Sequence, residues 1–76
     1  MTEELLAFER RWLNDPRASD GRKAQAIQAE FGVSETRHYQ RLVAVLHTDE
    51  AWRADPATTS ALLGRLKART RARRSG

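Results

Sequence analysis

KAQAIQAEFGVSETRHYQRLVAVL, residues 23–46, decides how this chain is read. The stretch divides at Gly32. From Lys23 to Phe31 the residues suit a helix that buries Ala24 or Ala26, Ile27 and Phe31, with Ala29 small enough for another helix to approach closely. Gly32 supplies the left-handed conformation that ends such a helix, and Val33 packs inward at the turn. Ser34 is the N-cap of a second helix that carries Glu35 in its first turn and runs to about Leu46. Tyr39, Leu42, Val43 and Leu46, at i, i+3, i+4 and i+7, define its core face. The opposite face carries Thr36, Arg37, Gln40, Arg41 and Ala44. Helix, tight turn and helix form the outline of a helix-turn-helix, whose second helix lies in the major groove of DNA. A plain corner between two helices of an all-α domain has the same outline, and Gln28 stands four residues before Gly32, where the motif usually has a small residue.

Working outward, the N-terminal segment predicts another helix. Thr2 serves as its N-cap, and Glu3 and Glu4 lie in a first turn where negative charge complements the helix dipole. Leu5, Phe8 and Trp12 give it an apolar face flanked by Leu6 and Leu13, while Glu9, Arg10 and Arg11 fall elsewhere, on solvated surface. Pro16 disfavours helix at Asp15, so this helix ends near Asn14. DPRASDG, residues 15–21, is a loop of turn formers, and Asp20 is the N-cap for the next helix. Past Leu46, Thr48 caps a short turn of helix through Ala51, Trp52 and Arg53. Asp55 and Pro56 then start a last helix, an acidic cap followed by proline at the first helical position. Its large apolar residues are Leu62, Leu63 and Leu66, so residues 67–76 are expected to project as a fraying basic arm. Trp12 and Trp52 are read as packing residues, and His38 as a partly buried structural histidine. The expected fold is all-α, with three to four helices, a domain at 1–66 and an arm at 67–76.

Charge is distributed unevenly. The whole chain carries +4, yet residues 60–76 hold six basic residues and no acidic one, while residues 1–59 hold eight basic and ten acidic. An acid-free basic end on a mildly acidic body suits a polyanion. Arg37, Gln40 and Arg41 are side-chain types that read bases or grip phosphates, with Ser34 and Thr36 beside them at the helix start. Arg65, Lys67, Arg69, Arg71, Arg73 and Arg74 are spread around the last helix, which suits phosphates better than base edges.

Other classes fit poorly. Seventy-six residues leave no room for a core together with a deep catalytic pocket. No phosphate-binding glycine loop, nucleophile with its base or paired carboxylates in apolar surroundings can be read, so the chain is expected not to be an enzyme. Cysteine is absent, His38 and His47 lack carboxylates at ligand spacing, and neither a metal nor a cofactor is expected. No apolar run approaches the roughly 18–20 residues that cross a bilayer, and residues 67–76 lack the bulky apolar face of a membrane-surface helix. MTEELLAFERRW has acid where a secretory signal has base, which points to the cytoplasm.

AFERRW (7–12), the KAQAI and FGVSETRHYQRL pieces (23–42), ADP (54–56) and the Arg-rich end together resemble a family of small actinobacterial and phage proteins classed as domain of unknown function 3263. The resemblance spans most of the chain and implies a helix-turn-helix fold. That family carries a Tyr-Tyr pair before the glutamine of the third helix, where this chain has His38-Tyr39, and a shorter first connection, which makes DPRASDG an insertion. The expected function is a small DNA-binding protein, a transcriptional regulator, with residues 35–46 in the major groove and the arm on phosphates. Its expected partner is double-stranded DNA, and a homodimer would supply two recognition helices. The alternative is a module that docks on a transcription-machinery protein, with the basic end on an acidic patch. RNA binding is a third class.

Overall fold

The computed structural model describes residues 1–75, and the side chains of all of these except Ser19 and residues 70–75. Five α-helices are seen: α1 Thr2–Trp12, α2 Arg22–Phe31, α3 Glu35–Leu46, α4 Asp49–Ala54 and α5 Pro56–Ser75. A short 3-10 helix, Pro16–Ser19, occupies the first connection. No strand occurs among the described residues.

The helix boundaries follow local chemistry. The Ser34 hydroxyl accepts from the Arg37 N–H at 3.2 Å, and the Thr48 hydroxyl from the Ala51 N–H at 3.3 Å, so both expected caps are in place. Asp55 caps α5 twice over: one carboxylate oxygen accepts from the Thr58 N–H at 3.1 Å, and the other from the Thr58 hydroxyl at 2.7 Å. Gly32 has φ 69°, and its N–H closes α2 onto the Gln28 carbonyl at 2.9 Å. In two places the caps differ from expectation. Met1, not Thr2, precedes the first turn of α1, and Thr2 lies inside the helix, buried. Gly21, at φ 91°, is the residue flanking α2, while Asp20 accepts from the Arg22 N–H at 3.1 Å one step further out. The left-handed backbone at Gly21 is easy only for glycine, so the cap moved there.

The principal core is built from one or two residues of each of four helices. Leu6 of α1, Leu42 and Leu46 of α3, Ala51 of α4 and Leu62 of α5 form one cluster, with Leu13, Val45 and Leu63 packed against it. The buried Thr59 donates to the Ala51 carbonyl at 3.1 Å, which ties α5 to α4 without leaving its hydroxyl unsatisfied. A second, aromatic cluster joins α1, α2 and α3. Phe8 sits 5.4 Å from Phe31 and 5.4 Å from the His38 ring, both edge-on, and 6.2 Å from Trp12.

Several side chains lie where the spacing did not put them. Tyr39 and Trp52, read as core and packing residues, are exposed, and Ala29 faces outward instead of receiving another helix. On α3 the buried positions are His38, Leu42 and Leu46, with Val43 half-buried. Glu9, read as solvated, is 3 % exposed. Helix α5 runs from Pro56 into the basic stretch, as expected.

Candidate nucleic-acid interface

The Ser34 cap fixes where α3 starts and therefore which of its residues turn outward. Thr36, Arg37 and Gln40 are exposed, and Arg41 is half-buried at the edge of that face. Tyr39 is also exposed, about 60° around the helix from Thr36 but on the side away from Arg37 and Arg41. Ser34 itself is exposed, but its hydroxyl is already engaged as the cap.

Helix α5 lies against the side of α3 that carries Tyr39, Leu42 and Leu46. Leu62 packs with Leu42 and Leu46, and further along, the guanidinium of Arg69 lies 5.8 Å from the centre of the Tyr39 ring. Progress along α5 therefore runs back toward the N-terminal end of α3. A groove of about 650 Å³ opens beside this contact, bordered by Thr36, Tyr39 and Val43 of α3, by Arg65, Leu66 and Arg69 of α5, and by Lys23 and Ile27 of α2. Arg65 donates to the side-chain carbonyl of Asn14 at 3.2 Å, and Lys67 is exposed. The side chains of Arg71, Arg73 and Arg74 lie outside the described residues. The structure thus brings Thr36 together with Arg65 and Arg69 along one groove, while Arg37, Gln40 and Arg41 do not line it.

Beneath the groove lies an ionisable group that the sequence reading did not find. Both oxygens of the buried Glu9 carboxylate are used: Oε1 accepts from Lys23 Nζ at 2.8 Å, and Oε2 accepts from His38 Nε2 at 2.9 Å. The bond to a carboxylate fixes the tautomer, since Nε2 must carry the proton. The His38 ring stacks on Phe31 at 5.3 Å, and its Nδ1 is buried with no hydrogen-bond partner. His38 thus has a carboxylate partner, contributed by a helix 29 residues away in sequence. No group of three or more His, Cys, Asp or Glu side chains suited to a metal occurs among the described residues.

The available signal for Glu9 was its position. On a helix turning about 100° per residue, residue 9 falls inside the arc spanned by Leu5, Leu6, Trp12 and Leu13. A charged residue at the centre of an apolar arc is one that must find a buried partner. The partner could not be read, because Lys23 and His38 reach Glu9 only through the packing of three helices.

Acidic groups elsewhere hold the frame. Arg17 holds the carboxyl of Asp15 well below the ordinary carboxylate range, at about 2, through its guanidinium and its N–H. Asp55 is also held low, by the hydroxyl and N–H of Thr58. Glu3, Glu4, Glu30 and Asp55 line a separate depression with Arg10 and Arg11, which leaves Glu9 and Glu35 as the acidic residues of the α3–α5 groove. Among the described residues no helix is long and apolar enough to cross a membrane.

The chain belongs to the family described as a protein of unknown function, DUF3263, whose profile matches residues 1–75. No curated protein matches it, and no solved structure does.

Proposed function

We propose that this member of the DUF3263 family is a small, non-enzymatic DNA-binding protein acting as a transcriptional regulator. The α2–α3 pair is its helix-turn-helix, and α3 is the helix that enters the major groove. Arg37, Gln40 and Arg41, with Thr36 at the start of the helix, meet the base edges and flanking phosphates. Lys67, Arg69 and the later arginines of α5 meet phosphates.

The observation that carries this reading is the placement of α5. In sequence, the acid-free basic stretch is separated from the α3 face by about twenty residues of mixed charge. In the fold, Arg69 rests on Tyr39, one turn of helix from Thr36. Residues 23–46 alone carry three basic and two acidic side chains, too small an excess to anchor a protein on DNA. The basic stretch supplies the missing charge at the flank of the helix that would use it.

A mobility-shift titration on random and selected duplexes across a salt series tests the reading. Arg37→Ala with Arg41→Ala should abolish preference for the selected duplex. Truncation after Leu66 removes five cations and should weaken binding to every duplex alike, flattening the log–log salt slope by up to about 4.5. Unchanged duplex binding in the double variant would remove α3 from the interface. No shift of the intact chain even at low salt would favour a protein partner, and preference for single strands or structured RNA would move the function to RNA.

A further inference from the structure

We propose that Tyr39 is the positioning residue of the basic stretch: its ring holds Arg69 against the flank of α3, so that the arm and the polar face of α3 meet a duplex as one surface of fixed spacing. This rests on the DNA-binding reading and adds to it the residue that sets the geometry.

Tyr39 is free to do this because the core does not use it. It is 39 % exposed, while its neighbour His38 turns inward onto Glu9. The hold of α5 on the rest of the molecule weakens along its length. Leu62 is buried, Leu63 and Leu66 are half-buried, and Lys67, Ala68 and Arg69 are exposed. The residues after Leu66 include no large apolar side chain. The Tyr39 ring, 5.8 Å from the Arg69 guanidinium, therefore extends the attachment of α5 by one further turn beyond Leu66. A guanidinium at this distance over an aromatic face is attracted by the ring quadrupole, an effect of about two- to five-fold in population at an exposed site. Glu35 lines the same groove and is the competing explanation for the position of Arg69. A ring and a carboxylate are separable by substitution.

The test uses the full chain with Tyr39→Leu and Tyr39→Phe, each first checked for native helicity by circular dichroism. In the free protein, Tyr39→Leu should speed amide exchange at residues 67–69 about two- to five-fold and abolish the ring-current shift of the Arg69 side-chain protons in NMR spectra. Tyr39→Phe should change neither. On DNA, Tyr39→Leu should weaken binding to selected and random duplex alike by up to the same factor, with the salt slope unchanged because no charge is removed. Wild-type exchange and shifts in Tyr39→Leu would overturn the proposal and leave Glu35 as the holder. An equal loss in Tyr39→Phe would overturn it too, assigning the effect to the hydroxyl. If the wild-type chain binds no duplex, the DNA reading falls and with it this role on DNA, while exchange and ring-current data still decide whether Tyr39 holds the arm.

Discussion

Replacing Glu9 by leucine should be among the most damaging single changes in this chain, and adding two further substitutions should undo most of the damage. The Glu9 carboxylate is 3 % exposed and accepts at both oxygens, from Lys23 at 2.8 Å and from His38 at 2.9 Å. Glu9→Leu keeps the approximate volume but leaves a buried N–H and an ammonium without their acceptor. Breaking a buried charged pair from one side costs about 3–5 kcal/mol. The Lys23 side chain is 22 % exposed and can turn toward water, so the lower end applies, about 3 kcal/mol. A chain of this length has a total stability of roughly 4–11 kcal/mol, and a loss of 3 lowers the melting temperature by about 12–24 °C. Glu9→Leu combined with Lys23→Met and His38→Phe removes every stranded polar group. Its new ring lies beside Phe8 and Phe31, which already flank His38. Well-packed apolar replacements of buried ionic groups are often neutral or better, so the triple variant should return to within about 1 kcal/mol of wild type. Urea titration followed by helical circular dichroism, with matching slopes, gives all three values. A cost for Glu9→Leu below about 1 kcal/mol would refute the buried pairing as a structural requirement. A triple variant no better than the single one would show that shape, not stranded polarity, sets the cost.

Other changes test the frame. Gly32→Ala should destabilise by about 1–2 kcal/mol in the same titration, because φ is 69° there and a Cβ meets nothing within 4 Å, so backbone conformation alone sets the cost. Asp55→Ala should cost about 1 kcal/mol through loss of the α5 cap, with Asp55→Asn retaining most of it. In acid, the depressed carboxyls of Asp15 and Asp55 remain ionised in the folded chain after their unfolded counterparts have taken up protons. Their contribution is complete above the ordinary carboxylate value of about 4 and is lost as pH falls through the folded value, about 2 for Asp15. Asp15→Asn should therefore flatten the fall of the unfolding midpoint between those limits.

Much of this architecture was legible in the sequence because it is set by neighbours along the chain. Ser34, Thr48 and Asp55 cap helices with hydroxyl or carboxylate oxygens that reach N–H groups three residues on, and Gly32 ends α2 with a dihedral angle. Such interactions need no tertiary contact, and their signals survive in a linear reading. The Arg-rich composition of the last helix and the polar face of α3 are likewise properties of the string. Apolar spacing was less decisive. It placed Leu42 and Leu46 correctly but took Tyr39 with them, at i, i+3 and i+7, where the buried residue is His38, at i, i+4 and i+8.

The packing of α1 against α2 and α3 reversed that choice. Glu9 lies in the buried arc of α1 and its second oxygen accepts from His38, so His38 is the buried member of the pair and Tyr39 stands at the surface. The position of the basic stretch was settled by the fold in the same way. Sequence determined that α5 would be helical and positively charged. The packing of Leu62 against Leu42 and Leu46 determined that it would run beside α3, with Arg69 on Tyr39. Local hydrogen bonds and charge counts are written residue by residue, whereas the partner of a buried carboxylate and the direction of a basic helix depend on which helices meet.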